Sequence, residues 1–254
     1  MLQRMGADTN TPCVAIVVPT ADEFRAYAEL LPDLKPLPGA GPVNAAAASE
    51  RVIAQFAPVA VLNGGSAGAH NPALLPGDVV LGARYVIAAP RAQREARLAR
   101  GLRSSLLRFY RGEESLHPDW LEADAALLDA AERAARAQLA RLGPWRAPGW
   151  PADVPRRGGH ALRGVIATAD AWTVDAEELR ALRADHATEC EDMESAYVAQ
   201  VCAMHAVPYV AVRVISNNEA ACPLAPSDVM PAVAAAGDIA AAVLSAVALG
   251  VAAD

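Results

Sequence analysis

The sequence predicts an α/β fold in a single domain, with a central, mainly parallel mixed β-sheet flanked by helices. Three observations carry that expectation. Short runs of β-branched and aliphatic residues are continuous rather than alternating, the pattern of strands covered on both faces. Alanine-rich segments of helical length separate those runs. A chain of 254 residues is long enough to bury a substantial core, and α/β folds of this size commonly stay in one piece.

Taken in order, strands are expected over Val14 to Val18, Val59 to Leu62, Asp78 to Leu81, Leu162 to Ala167 and Tyr209 to Ile215, each bounded by glycine, proline or polar residues. Helices are expected over Asn44 to Phe56, Ala123 to Leu142, Ala176 to Ala184 and Met193 to His205. The stretch from Pro90 to Gly159 reads as an insertion. Arg91 to Arg111 would be a helix whose basic face is solvated, or meets a second subunit or the substrate rim, and the Pro/Gly-rich Gly143 to Gly159 would be a loop. Val229 to Ala253 is nearly all alanine and valine but is broken by Gly237 and Asp238, which suits a buried or half-buried helix better than a membrane span. No internal repeat is present.

Composition narrows the partners. A formal net charge of −7 without a basic patch disfavours nucleic acid and anionic membranes, leaving a small molecule as the expected partner. The N-terminal residues 1–12 are too polar for the apolar middle of a signal peptide, so export is not expected. Cys13, Cys190, Cys202 and Cys222 form no CxxC pair, which suits reduced thiols in a cytosol. His70, His117, His160, His186 and His205 share no short spacing, and most read as surface or packing residues. No metal and no redox cofactor is expected, since neither a ligand cluster nor a dinucleotide fingerprint appears.

In open parallel sheets ligands bind outside the carboxyl ends of the strands. Four such places here are polar or small: Pro19 to Phe24, Asn63 to Gly68, Thr168 to Trp172 and Arg213 to Asn218. Together they offer carboxylate, hydroxyl, amide and one large aromatic. The motifs Gly39-Ala-Gly-Pro-Val-Asn-Ala-Ala, Val61-Leu-Asn-Gly-Gly-Ser-Ala-Gly-Ala, Pro76-Gly-Asp-Val-Val, Val165-Ile-Ala-Thr-Ala-Asp-Ala-Trp, Glu191-Asp-Met-Glu-Ser-Ala and Val207-Pro-Tyr-Val-Ala-Val-Arg-Val-Ile-Ser follow one another in order. This collinear set resembles the methylthioadenosine/S-adenosylhomocysteine nucleosidases and their nucleoside phosphorylase relatives.

The resemblance implies a purine nucleosidase, an N-ribosyl hydrolase cleaving the base from a 5′-substituted purine nucleoside and working as a homodimer or larger assembly. It puts a water-activating carboxylate at Glu23, with Asp22 as the alternative, and a ribose-holding carboxylate at Glu194, whose plainer reading is an ion pair with Arg213. Met193 would pack under the ribose or in the core. Trp172 would stack on the purine or serve as a core residue, with backbone groups of Ala171 and Thr173 reading the base edge. Ser66, Ala67, Gly68, Arg213 and Ser216 complete the implied substrate site.

Asn217 departs from the pattern, standing where enzymes for adenine nucleosides carry an aspartate that protonates N7. An amide transfers no proton but can donate hydrogen bonds to N7 and a 6-oxo group. Futalosine hydrolases, which act on 6-oxopurine nucleosides, resemble this chain there. Phosphorolysis is the alternative to hydrolysis, but the glycine-rich segments carry no arginine or lysine to hold phosphate, and Lys35 is the only lysine. The remaining alternative is a purine-binding, catalytically weak protein like the storage proteins that resemble this fold. Phe109, Tyr110 and Trp120 could supply the subunit surface.

Overall fold

A computed structural model describes residues 13–30, 40–102 and 105–251. The polar 1–12 stretch, Lys35, Gly39 and the Asp22 side chain lie outside the described residues. The elements run β1 (Val14–Val17), α1 (Ala21–Leu30), α2 (Pro42–Phe56), β2 (Ala60–Ala69), β3 (Val79–Ile87), α3 (Arg91–Leu98), β4 (Phe109–Arg111), β5 (Glu114–Leu116), β6 (Leu121–Glu122), α4 (Ala125–Leu142), β7 (Ala161–Thr168), α5 (Ala176–His186), β8 (Thr188–Asp192), α6 (Ser195–His205), β9 (Tyr209–Asn217) and α7 (Pro226–Val251).

Strand pairing is mixed. β1–β2, β2–β9, β3–β7 and β7–β8 are parallel, whereas β2–β8, β3–β9 and β3–β6 are antiparallel. Because β2 and β3 each meet β9, and β8 closes back onto β2, the ladder β2–β9–β3–β7–β8 returns on itself rather than lying open. Both faces are covered, as the continuous apolar runs require. Val14, Ile16, Leu62, Val210, Val212 and Val214 pack with α4 and α7 on one side, while Ala15, Val17, Val61, Ala211 and Ile215 pack with α2 and α6 on the other.

Several expectations need correcting. The glycine-rich residues 63–68 do not follow a strand: β2 runs on through Ala69, hydrogen-bonded to β9 along its length. Their small size serves close approach within the sheet. A Cβ on Gly64 would fall 2.6 Å from the Tyr27 hydroxyl and 2.5 Å from Leu244. Strand β8, Thr188–Asp192, was not foreseen, because its Thr-Glu-Cys-Glu-Asp sequence has no apolar run. The helix expected over Arg91 to Arg111 ends at Leu98, past which Gly101 adopts φ +68°. Phe109–Arg111 is instead a strand paired with β5 across a turn at Gly112. Nor is that helix's face wholly solvated: Arg94 is buried between Glu178 (2.6 Å) and Asp185 (3.0 Å).

The loop over 143–159 is pinned where Arg157 grips Asp78 with both terminal nitrogens, at 2.6 and 2.7 Å, the fork geometry guanidinium favours. Helix α7 is long and apolar enough to cross a membrane, yet it is a core helix here, packed on α1, α4, β2 and β9. Gly237, which interrupts its apolar run, lets its backbone meet α1: a Cβ there would lie 2.8 Å from Cα of Glu23. Gly237→Ala should therefore part the two helices and cost about 1–3 kcal/mol, read as a lower melting temperature. Gly250→Ala, which meets nothing within 4 Å, should leave the melting temperature level or raise it.

Candidate active site

The carboxyl ends of β2, β8 and β9 and the first turns of α1 and α7 enclose a cavity of about 220 Å³. Behind its wall lies Arg213 of β9, with no exposed surface. A bare guanidinium there would be costly, so it must be matched by acceptors. Its Nε sits 2.6 Å from Asp192 Oδ2, and its Nη2 donates to Asn63 Oδ1 at 2.6 Å and lies 3.5 Å from Glu194 Oε2. Burial opposes the charge, but Asp192, Glu194 and Glu23 outweigh it and hold the group above its ordinary pKa.

Each partner is set by local sequence. Asp192 ends β8 and accepts from the Ser195 N–H at 3.2 Å, capping the turn into α6, and from Thr168 Oγ1 at 2.6 Å. Glu194, immediately before α6, accepts the N–H of Gly41 at 3.0 Å. Gly41 has φ +96°, a conformation that favours glycine, and Pro42 opens α2 behind it. The Gly-Pro motif thus serves Glu194. Burial pushes the Glu194 carboxyl up to about 7; Arg213 and the Gly41 N–H pull down, while Asp192 and Glu23 push further up.

Glu23, 2% exposed, is fixed by α1's entry. Its N–H donates to Thr20 Oγ1 at 3.2 Å, the Thr20 hydroxyl donates to its Oε2 at 2.8 Å, and the Ser66 N–H donates to its Oε1 at 2.5 Å. The Thr-x-x-Glu spacing of a helix cap puts the carboxylate there. Gly65 leaves the gap between acid and arginine, since its Cβ would fall 2.5 Å from Arg213 Nη1 and 2.6 Å from Glu23 Oε1.

Of the residues singled out in the sequence, Glu23, Ser66, Ala67, Gly68, Trp172, Thr173, Met193, Glu194, Ser216 and Asn217 line this one cavity. Arg213 does not; it stands behind the wall and orients the acids. Ala171 is exposed and outside the lining, and Thr173 lines the cavity with its N–H given to Glu191 Oε1 at 3.0 Å. Asn217 accepts from the Ser216 hydroxyl at 2.8 Å and donates from Nδ2 to Glu219 at 2.6 Å, which commits part of the amide. Among the lining residues with no expected role are four ionisable ones: His70, Glu191, Asp192 and Glu219. His70 is buried and hydrogen-bonded to Thr188, and it also lines the cavity. Its position straight after a strand of the site was the available signal, as was the adjacency of Glu191 and Asp192 to Glu194.

The phosphorylase superfamily model matches residues 34–251. The 5′-methylthioadenosine/S-adenosylhomocysteine nucleosidase of Shewanella denitrificans is 31% identical over 182 residues, 71% of this chain and 66% of its own length, so the match spans just under two thirds of that relative. Two solved structures share the fold. The 5′-methylthioadenosine/S-adenosylhomocysteine nucleosidase of Neisseria meningitidis, in complex with methylthio-immucillin-A, superposes with a TM-score of 0.69 at 23% identity, covering 92% of this chain and 97% of that one. The futalosine hydrolase of Helicobacter pylori gives 0.67 at 18%, covering 92% and 96%. With its sheet, its acid-lined cavity and a family match running from before α2 to the end of α7, the chain belongs to the phosphorylase superfamily.

Proposed function

We propose that this protein is a purine nucleosidase that hydrolyses the N-glycosidic bond of a 5′-substituted purine nucleoside, the activity named for its relatives. The observation that carries the reading is the convergence of Glu23 and Glu194 on one cavity, Glu23 fixed by Thr20 and the Ser66 N–H and Glu194 set beside the buried Arg213. Breaking the bond sends its electron pair to the base, which leaves as an anion and takes a proton from solvent, and leaves positive charge on the ribose. Glu194, as a carboxylate, accepts from vicinal ribose hydroxyls and stabilises that charge. Glu23 takes the proton of an attacking water. Trp172 stacks on the base, Met193 packs under the sugar, and Ser216 and Asn217 bond the base. The apolar wall of Val229, Met230 and Val233 suits an apolar 5′ substituent.

Water is favoured over phosphate on electrostatic grounds. Among the described residues no arginine or lysine lines the cavity, while Glu23, Glu191, Asp192, Glu194 and Glu219 do. A phosphate dianion would meet that ring unpaired. Base release should proceed at the same rate with and without phosphate and yield free ribose product; phosphate-dependent release with a ribose 1-phosphate product would overturn hydrolysis. Tight purine binding with no release of base from any nucleoside would identify a binding protein instead.

The raised pKa of Glu194 sets a pH dependence. The carboxyl is protonated below its value of about 7, and a protonated Glu194 loses acceptor capacity and charge. Activity should therefore fall as pH drops through about 7 and level off above it, read as kcat/KM against pH. Glu194→Gln should lose about 10²–10³ in kcat. A wild-type profile flat from pH 5 to 9, at about the precision of a tenfold limb, would rule out that role.

We further infer a cytoplasmic homodimer. Four buried cysteines, none in a disulfide, support a reducing compartment, and the exposed Leu98, Leu102, Tyr110 and Trp120 support a subunit contact, whereas Phe109 belongs to the core. Sedimentation should give a dimer at micromolar concentration; a fully active monomer would exclude it.

A further inference from the structure

We propose that Glu191 reads the leaving base and selects one that carries an N–H donor on its six-membered ring, a 6-oxopurine rather than the 6-aminopurine of the relatives' names. The inference rests on the nucleosidase reading above. Glu191 is 7% exposed and lines the cavity from β8. Thr173, next to Trp172, fixes it twice: the backbone N–H donates to Oε1 at 3.0 Å and the hydroxyl to Oε2 at 2.9 Å. His70 stands on its far side, with Nε2 3.6 Å from Oε2 and Nδ1 bonded to Thr188 Oγ1 at 2.7 Å. That Nε2 is buried and has no hydrogen-bond partner. Such an arrangement is more than packing: an acid in a cavity wall is held by a backbone donor, a hydroxyl and an imidazole that keeps a hydrogen-bonding position unused.

Register explains what lies opposite. Gly68 of β2 pairs with Glu191 of β8 on one side and with Asn217 of β9 on the other. All three line the cavity with Trp172. A flat base lying over Gly68 thus meets a carboxylate at one end and a carboxamide at the other. The carboxylate only accepts. A 6-oxopurine offers it N1–H and offers the Asn217 amide its N7 and 6-oxo acceptors. A 6-aminopurine turns the N1 lone pair towards the carboxylate, and the Thr173 N–H, a backbone donor that could otherwise serve N1, is taken by Glu191 itself. Leaving those lone pairs face to face forfeits hydrogen bonds in a buried site, the kind of mismatch that discriminates strongly.

The test compares 5′-methylthioinosine with 5′-methylthioadenosine in the wild type and in Glu191→Gln, alongside calorimetric binding of free hypoxanthine, 1-methylhypoxanthine and adenine to the wild type. The expected wild-type kcat/KM ratio favours the inosine compound. Glu191→Gln, which can donate to N1, should lower that ratio by about tenfold to a hundredfold. Hypoxanthine should bind more tightly than adenine. A wild-type ratio below one overturns the proposal, as does a Glu191→Gln variant that slows both substrates equally, the mark of a structural role. If the wild type cleaves neither nucleoside, the hydrolase reading fails, yet base binding still decides: hypoxanthine bound more tightly than both adenine and 1-methylhypoxanthine, which keeps N7 and the 6-oxo group but lacks N1–H, supports Glu191 as the selector, and tighter adenine or equal binding of 1-methylhypoxanthine refutes it. The same comparison serves if Glu191→Gln does not fold.

Discussion

One buried cation organises this end of the molecule. Arg213 has no exposed surface, and two of its three nitrogens dictate neighbours: Asp192 and Ser195 at Nε, Asn63 and Glu194 at Nη2, while Nη1, towards the gap beneath Gly65, has no hydrogen-bond partner among the described residues. Desolvating a guanidinium costs several kcal/mol unless such partners are in place. The arginine therefore ties β2, β8 and β9 together at the level where they open into the cavity. It does so without entering that cavity, so its role is to hold acids in position rather than to touch a ligand. The cost falls on specificity of sequence: Gly65 has no room for a side chain, and Asn63 must present its oxygen inward while its Nδ2 donates to Val17 O at 2.8 Å.

How much of this was legible in the sequence follows from what each residue's partners are. Strands such as Val14–Val17 and Tyr209–Asn217 declare themselves because two covered faces demand unbroken apolar runs. Glu23 and Glu194 were legible through motifs whose local reason the structure supplies, a Thr20 cap in one case and a Gly41 N–H in the other. β8 was hidden because its acids face a cavity and an arginine rather than a core, so it lacks the strand signature altogether. The closure of the sheet was hidden too, since it depends on β8 meeting β2 antiparallel over only two residue pairs. In the arginine-rich stretch, composition suggested one helix to Arg111, but Gly101 and the Phe-Tyr-Arg strand end it early. Nothing local reveals that Arg94 is buried against acids from α5.

The abundance of alanine and glycine reads differently once packing is known. α7 meets α1 and the sheet through Ala232, Ala236, Ala240 and Gly237, all small, and this brings the backbone carrying Glu23 within van der Waals range of the helix. Small residues contribute little burial each, so stability comes from many close contacts over a long helix rather than from a few large side chains. The same economy of bulk on β2, with Gly64 and Gly65, lets Tyr27 and Arg213 reach the strand from either side. A glycine-rich segment that looks like a ligand loop in sequence is, in this fold, the thinnest part of a sheet.

The charge balance of the cavity connects this scaffold to the proposed chemistry. Five carboxylates line it and the nearest guanidinium lies behind the wall. Such a site opposes an anionic ligand and favours a cation, so its stabilisation is greatest when positive charge appears on the sugar. A neutral nucleoside gains little from it in the ground state. The tension shows in Glu194, which burial and its acidic neighbours Asp192 and Glu23 push up to about 7 even with Arg213 3.5 Å away. Were Arg213 closer to Glu194 than to Asp192, the carboxylate would be a saturated ion pair with less to offer a developing cation. At 3.5 Å against 2.6 Å, the arginine spends its charge mainly on Asp192, leaving Glu194 under-compensated and able to respond as the glycosidic bond stretches.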